Sequence, residues 1–241
     1  MTAIELFRAG KLTDAVKTLT EEVRNHPTDV QKRTFLFELL CFAGEMERAE
    51  KQLDVLAQSG KQSELGALLY RAALHAERER RQFFTDKAYL EAGQHAVSQE
   101  LTGSFNGKPF RQISDADPRI GARLEVYVAG RYLWVPFEHI ASVEMQAPKR
   151  LRDLLWMPAL VKNGPSFQGR DLGEVLVPVL SPFSSTQEDE VRLGRATVWE
   201  DVDGAEVPFG QKMLLIDGEE VPLLELRMLE FAAAAESAAT G

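Results

Sequence analysis

The first hundred residues carry apolar side chains at the spacing of amphipathic helices, and the later residues carry them in short alternating runs. Apolar positions that recur every three or four residues form one face of a helix, whereas strict alternation is typical of a half-buried strand. The N-terminal part is therefore predicted to be helical. The predicted helices, the last of them interrupted by Gly93, lie at 2–9, 11–25, 29–43, 45–58, 63–84 and 86–100.

The N-terminal pattern also repeats itself. A shift of 34 positions aligns Gly10 with Gly44 and Ala15 with Ala49. That period is typical of tetratricopeptide-type helix pairs. In such a unit a small residue lies where two helices approach closely, and a glycine turns the chain between them at low conformational cost. The sequence thus predicts two tetratricopeptide-like repeats and an incomplete third, which together form an interaction surface.

The ends and faces of several helices are predicted as well. Thr2 with Glu5, and Thr28 with Gln31, match the capping box, in which each side chain satisfies an amide donor of the first turn. The charged run at 77–81 is interpreted as a solvated face in preference to a ligand patch. Four leucines precede that run, at positions 65, 68, 69 and 74.

From about residue 103 the pattern changes to strands separated by turn residues. Asn106-Gly107 and Asp217-Gly218 are typical of tight hairpins, in which both central residues adopt positive φ. A short helix is predicted at 186–193. The predicted strands lie at 124–128, 132–135, 140–145, 154–161, 174–180, 195–200, 212–216 and 221–227.

The predicted fold class is α+β multidomain. We expect N-terminal tetratricopeptide-like helical repeats at 1–102, followed by a strand-rich α+β domain at 103–230. Residues 231–241, rich in alanine, are expected to form a flexible tail.

Charge and composition narrow the function classes. The chain of 241 residues has a net charge of −9, which counts against a nucleic-acid or anionic-membrane binder. Residues 1–100 carry a net charge of −2, and the remainder carries −7. A single cysteine, Cys41, excludes an internal disulfide and a thiolate-rich zinc site. Because the N-terminus lacks a signal-peptide pattern and no apolar stretch approaches ~20 residues, we predict a cytoplasmic protein without a membrane span.

Catalytic motifs are sparse. The chain has no Walker A, dinucleotide-binding or nucleophile-elbow pattern, so we expect no cofactor. Asp115 and Asp117 are two residues apart and could bind a hard cation or act as acid and base in a hydrolase. Asp-Pro elements are also common in loops, where the carboxylates accept nearby amide protons, and that interpretation is favoured.

Two aromatic stretches are candidates for partner binding. Arg152, Asp153 and Trp156 form either an internal Arg–Asp pair that fixes a strand end or a hot spot of the kind that Arg and Trp build. Tyr132 and Trp134 share one face of a strand, where core packing is the commoner role. If that face is exposed, they become candidates for a partner site.

Eight short stretches run in order along nearly the whole chain and resemble one known family. They are 9–12 (AGKL), 37–41 (FELLC), 106–110 (NGKPF), 115–121 (DADPRIG), 130–137 (GRYLWVPF), 151–156 (LRDLLW), 193–199 (LGRATVW) and 210–214 (GQKML). In them the chain is similar to the ImpE family, also called TagJ or SciE, an accessory component of bacterial type VI secretion gene clusters. The segment 85–104 looks shortened against that family, and 177–182 is less polar.

The resemblance implies a non-enzymatic, virulence-associated adaptor. Some relatives bind the N-terminal helix of the small contractile-sheath subunit and are linked through it to ClpV, the ATPase that disassembles spent sheath. A helix in an apolar groove is a familiar recognition mode that suits a helical-repeat partner. Two alternatives remain open, namely a general assembly scaffold with another partner and a hydrolase that uses Asp115 and Asp117. The oligomeric state is left open.

Overall fold

The computed structural model describes residues 1–58, 60–93, 101–167 and 171–232. The combination of helices and antiparallel sheets confirms the α+β class. Of the predicted helix at 86–100, the described part ends at Gly93, and residues 94–100 lie outside the description. The helices of the first part are α1 (Ala3–Arg8), α2 (Leu12–Asn25), α3 (Val30–Phe42), α4 (Met46–Ala57), α5 (Lys61–Thr85) and α6 (Tyr89–Gly93).

The residues that repeat at the 34-residue shift occupy matching places. Ala15 on α2 and Ala49 on α4 are both fully buried. Gly10 and Gly44 lie between helices with φ of +75° and +73°, a region that costs glycine little. Each glycine also sits against a side chain of the C-terminal part, so these turns need a residue without a Cβ atom.

One predicted helix cap is confirmed and the other is wrong. Thr2 and Glu5 form the capping box at the start of α1. Helix α3 is capped by Asp29, whose carboxylate accepts the Lys32 amide at 3.0 Å, and not by Thr28. Because aspartate is at least as good an N-cap as threonine, it starts the helix one residue later than the Thr28–Gln31 pattern predicts.

The second part of the chain is built from short strands. The hairpins at Asn106-Gly107 and Asp217-Gly218 are confirmed, with positive φ at all four residues. The helix predicted at 186–193 is shorter, and forms α7 (Asp189–Arg192). The strands are β1 (Gly103–Phe105), β2 (Lys108–Phe110), β3 (Ile113–Asp115), β4 (Arg123–Val128), β5 (Arg131–Pro136), β6 (Ile140–Met145), β7 (Trp156–Asn163), β8 (Gly173–Pro178), β9 (Thr197–Val202), β10 (Ala205–Gly210), β11 (Met213–Ile216), β12 (Glu219–Pro222) and β13 (Met228–Phe231).

Several strands differ from the prediction. The predicted strand at 221–227 is split into β12 and a 3-10 turn, Leu223–Glu225, because Leu223 and Leu226 both fill the core. Strand β13 then extends to Phe231, which places the first residue of the predicted tail in a sheet. Residues 233–241 of that tail lie outside the description.

One large antiparallel sheet organises this part. Within the described residues it has eight strands in the order β2-β1-β13-β6-β7-β8-β4-β5. One face is apolar and carries the fully buried Val126, Val143 and Val177. Side chains alternate along each strand, so the residues between these valines point to the other face. That face lies against the helices. A smaller sheet pairs β9 with β10, and another has the strand order β12-β11-β3.

The helices pack on this second sheet face and share a core with it. Trp156 and Tyr127 belong to the same buried cluster as the residues of α2, α3 and α4. Helix α5 crosses the β4–β5 turn, where His75 donates from Nδ1 to the Gly130 carbonyl at 3.0 Å. Arg192 and Arg195 donate to carbonyls at the ends of α3 and α1. Among the helices that the structure describes, none has the length and apolar character to cross a membrane.

Candidate functional site at the helix–sheet junction

A buried charge network lies where α5 meets the sheet. Arg80 donates from Nε and Nη2 to the two carboxylate oxygens of Glu125 on β4, at 2.8 and 2.9 Å. Lys212 contacts Glu125 from the other side and reaches Asp115 at 2.5 Å. All four residues are buried. The interpretation of 77–81 as a solvated face is therefore wrong at Arg80, since the strand beneath it supplies a carboxylate.

The two carboxyl groups of the network have pKa values that are shifted in opposite directions. Burial alone would raise the pKa of Glu125, but Arg80 and Lys212 hold that pKa well below its usual range. Burial raises the pKa of Asp115 to about 6, although Lys212 opposes the change. The side chains of two basic residues, Arg80 and Lys212, thus compensate those of two acidic residues, and these ion pairs link α5 to the sheet.

Asp115 and Asp117 are engaged inside the protein. Asp115 accepts the Asp117 amide at 2.9 Å, and Asp117 accepts the Arg119 amide at 3.0 Å. The Arg119 guanidinium also donates to the Asp117 carboxylate at 2.6 Å. The loop interpretation of the sequence predicts contacts of this kind, in which the carboxylates accept nearby amide protons. Over the described parts of the chain, no group of three or more His, Cys, Asp or Glu side chains is placed to hold a metal ion.

Tyr132 and Trp134 lie half-buried beneath α5. The Tyr132 hydroxyl donates to Glu125 at 2.6 Å, and the Trp134 indole donates to the Tyr132 hydroxyl. The ring of Phe83 on α5 packs edge-on against both, with centroid distances of 5.6 and 4.9 Å. A helix of the same chain thus covers the strand face that carries Tyr132 and Trp134. Their proposed role in partner binding required that face to be exposed, and it is not.

Arg152, Asp153 and Trp156 do not form one exposed patch. Asp153 accepts the amides of Lys149 and Arg150 at 2.8 and 2.9 Å, so it caps a 3-10 turn, and the predicted Arg–Asp pair is replaced by this cap. Trp156 is 3% exposed and presents almost no surface to a partner. Its indole lies within the shared core, which is the physical reason that the hot-spot interpretation fails for this residue.

Arg152 belongs to a second electrostatic group beside that core. Its guanidinium lies over the Tyr70 ring, 4.8 Å from the centroid. Glu38 on α3 is 9% exposed. Burial raises the Glu38 pKa to about 7, and the positive charge of Arg152 opposes this.

The junction also contains an apolar cleft that the sequence did not predict. It has a volume of about 450 Å³. Leu69 and Ala72 of α5 form one wall, and Leu160 and Pro158 of β7 form the opposite wall. Leu65, Leu68 and Leu69 are 70%, 63% and 52% exposed. The sequence signal was the group of leucines at positions 65, 68, 69 and 74, of which Leu69 lines the cleft and only Leu74 is fully buried.

The polar residues around the cleft are acidic or neutral. Glu144 on β6 and Glu174 on β8 line it together with Gln146, and the described lining residues include no lysine or arginine. Lys162 is exposed on β7 two residues beyond Leu160, so the acidic part of the rim ends there. The cleft can therefore accept an apolar group with positive charge at its edge.

Comparison with known proteins identifies the family. The sequence profile described as ImpE protein matches residues 107–230. The type VI secretion system accessory component TagJ of Pseudomonas aeruginosa is 33% identical over 267 aligned positions, covering 96% of this chain and 91% of TagJ. A crystal structure of a Vibrio parahaemolyticus protein has the same fold, with a TM-score of 0.83, 23% identity and coverage of 97% of this chain and 98% of that one. On the sequence matches, the chain belongs to the ImpE family.

Proposed function

We propose that this protein is a non-enzymatic accessory adaptor of a bacterial type VI secretion system and works in the cytoplasm. Its proposed partner is the N-terminal helix of the small contractile-sheath subunit, through which it would be linked to ClpV-driven sheath disassembly. The observation that carries the proposal is the 33% identity to the accessory component TagJ over 96% of the chain. Identity at that level over nearly the full length favours a shared cellular role.

The helical part supports an interaction role. We propose that α1–α5 are tetratricopeptide-like repeats, with a boundary near residue 103. The buried alanines and the glycine turns that recur at the 34-residue shift support this. Helix pairs of this kind leave surfaces that recognise helical or extended segments of other proteins.

The state of the acidic residues favours the adaptor over the hydrolase. Asp115 is held by Lys212, and Asp117 is held by Arg119. A general base needs a lone pair within reach of a substrate proton, and a metal site needs several free oxygen ligands. Both carboxylates are instead committed to amides and cations of the same chain.

A pulldown with the sheath small subunit tests the proposal. The full-length chain should retain the small subunit encoded in the same gene cluster, and deletion of that subunit's N-terminal segment should abolish retention. A small subunit shortened by the same length at its C-terminus is the control. Retention that survives the N-terminal deletion would contradict the helix mode and favour the scaffold alternative, which cross-linking in cells that carry the cluster would then define.

A further inference from the structure

The hairpin of β9 and β10 has one open edge. We propose that the outer edge of β9 is a docking site for an extended segment of a partner protein that carries lysine or arginine at alternating positions. Such a segment would add a third strand to the two-stranded sheet, so that backbone hydrogen bonds supply affinity and side chains supply selectivity. The described lining of the apolar cleft beside α5 includes no residue of β9, so the two surfaces are separate.

The register of the hairpin decides which backbone groups of β9 face outward. A two-residue turn, Asp203-Gly204, joins the strands, and both of its residues have positive φ. In a hairpin of this type the residues that flank the turn exchange two hydrogen bonds, and bonded and non-bonded pairs then alternate. Val202 therefore bonds to β10, as does every second residue before it. Trp199 and Asp201 instead direct their N–H and C=O groups away from β10.

These outward groups are not taken up by the rest of the described chain. Within residues 1–58, 60–93, 101–167 and 171–232, β9 pairs with β10 alone. No backbone hydrogen bond from a turn or loop in those ranges reaches Trp199 or Asp201. Unpaired N–H and C=O groups along a strand form a template on which a further strand can pair.

The opposite edge of the same hairpin is closed. Pro208 on β10 has no N–H to donate, which is the usual position of proline in a sheet. The Gly210 amide donates to Ser184 Oγ at 2.7 Å, and the Gly210 carbonyl accepts the Ser181 amide at 2.8 Å. The chain thus occupies the β10 edge with its own residues, whereas β9 contains no proline and is left open.

Trp199 provides an anchor on the open edge. It is half-buried and belongs to none of the buried clusters, whereas Trp134 and Trp156 each pack into one. Its indole N–H has no hydrogen-bond partner among the residues that the structure describes. Tryptophan is enriched at binding hot spots because it combines a large apolar surface with a polar donor.

The charges beside the edge select a basic segment. Asp201 and its register partner Glu206 are exposed on the same face as Trp199, and Glu200 is exposed on the other face. In the described parts of the chain, none of the three acids forms an ion pair within 4.0 Å. Lysine or arginine side chains of a third strand would lie beside these carboxylates and complement them.

The same charges oppose pairing of β9 with a second copy of this chain. Two identical strands that pair about a two-fold axis run antiparallel, and each residue faces its symmetry partner across that axis. With the axis near Glu200, the Glu200 and Asp201 side chains of the two copies would lie close together. Like charges that face each other across strands are destabilising. The edge therefore suits a basic strand better than it suits self-association.

Amide hydrogen exchange of the full-length protein, followed by NMR, tests whether the edge is open. The amides of Trp199 and Asp201 should exchange at least about tenfold faster than that of Glu200, which lies between them and bonds to β10. Equal protection of all three would overturn the proposal, because it would mean that the edge is already covered. If that protection is lost on dilution of the protein, the covering group is a second copy.

A peptide titration tests the occupant. The probe is a synthetic peptide of about ten residues in which lysine alternates with valine and threonine, which favour strands. Binding should slow the exchange of the Trp199 and Asp201 amides and shift the Trp199 indole N–H signal. Absence of binding up to about 1 mM peptide would overturn the proposal.

Two methylated forms of the peptide separate strand pairing from charge attraction. N-methylation of every second residue removes the N–H donors along one edge of the peptide without changing its charge. One of the two alternating sets should weaken binding by about tenfold or more, and the other should bind like the parent peptide. Equal binding of the two forms would contradict strand pairing.

Asp201→Pro and Glu206→Pro are a matched pair on the protein. Because the two residues face each other in the register, each substitution removes one carboxylate from the same face. Asp201→Pro blocks the β9 edge and should weaken peptide binding at least about tenfold, whereas Glu206→Pro alters only the edge that carries Pro208 and should weaken it about twofold. Asp201 also accepts the Gly204 amide at 3.1 Å, so retained slow exchange at Val198 must show that the hairpin is intact. Equal weakening in both variants would overturn the edge assignment.

Asp201→Asn with Glu206→Gln tests the charge preference on an unchanged backbone. Asparagine can still accept the Gly204 amide, and we expect roughly fivefold weaker peptide binding at low salt. That difference should disappear at about 0.5 M salt, where exposed charges are screened. Glu219→Gln with Glu220→Gln, which removes two exposed acids of β12, should leave binding unchanged. Equal effects of the two double variants would overturn the proposed selection of a basic segment by these carboxylates.

Discussion

The two halves of helix α5 meet the same sheet face, and they meet it in opposite ways. The second half buries Arg80 over Glu125 and Phe84 against Trp134. The first half holds Leu65 and Leu68 out to solvent, at 70% and 63% exposure. A charge is buried where the sheet supplies an opposite charge, and leucines are exposed where the sheet supplies no cover. Along α5, the burial of a side chain therefore depends more on what the facing sheet surface offers than on the hydropathy of that side chain.

The second half of α5 is the covered half, and it can bury Arg80 because the guanidinium finds hydrogen-bond acceptors there. Arg80 donates to both oxygens of Glu125, and its Nη2 also donates to the Leu180 carbonyl at 3.0 Å. A buried ion pair adds little stability over an apolar replacement of both partners, but removal of one partner leaves a buried charge uncompensated. Single substitutions in the covered half should thus lower the free energy of unfolding. Substitutions in the first half of α5, the open half, should change it little.

The largest expected effect comes from breaking the buried pair. Arg80→Met keeps the length and apolar stem of the side chain and leaves Glu125 short of one of its two cations. We expect the free energy of unfolding to fall by about 3 to 5 kcal/mol. Urea unfolding followed by circular dichroism measures it.

Arg81→Met, on the next residue of the same helix, is the matched control. Arg81 is exposed, and its substitution should change the free energy of unfolding by less than about 0.5 kcal/mol. Equal losses in the two variants would contradict the comparison, because they would show that burial of the guanidinium contributes nothing specific.

Periodicity predicted α5 as an element but could not predict which side faces the sheet. The four leucines indicate a single apolar face, yet only Leu74 among them is fully buried. The carboxylate that holds Arg80 lies 45 residues further along the chain, and Lys212 lies 87 residues beyond Glu125. Such pairings depend on tertiary contacts, which the local pattern of one sequence does not contain.

Turns were predicted better than strand ends because their chemistry is local. Asn106 and Asp217 each precede a glycine, and the positive φ of both pairs follows from residue type. The predicted strand at 221–227 was wrong in its second part for the opposite reason. Leu223 and Leu226 are three residues apart, and the 3-10 turn between them allows both to be buried. In sequence, such an apolar run resembles a strand.

The next largest effect concerns Glu38, a buried carboxyl group on α3. The folded-state pKa of Glu38 is raised to about 7 from 4.5, so the folded protein favours the protonated form. The stability that this group contributes is complete below pH 4.5 and is lost as the pH rises through about 7. Glu38→Gln should therefore raise the free energy of unfolding by roughly 2 kcal/mol at pH 8 and by less than about 1 kcal/mol at pH 5.

Urea unfolding across that pH range tests the prediction. Glu21→Gln, an exposed position on α2, serves as the control and should show no comparable gain. A stability gain in Glu38→Gln that stays the same from pH 5 to pH 8 would show that the effect comes from packing and not from the charge.

The smallest expected effect is the sharpest test of the open half. Leu65→Gln with Leu68→Gln replaces two exposed leucines on α5 with good helix formers, so the free energy of unfolding should change by less than about 0.5 kcal/mol. Leu74→Ala, in the covered half of the same helix, should cost about 2 to 5 kcal/mol because its side chain is fully buried. Urea unfolding of the protein at low concentration measures both. A loss above about 1 kcal/mol in the double variant would mean that these leucines are already covered in solution, and the same measurement at a tenfold higher protein concentration would show whether a second copy covers them.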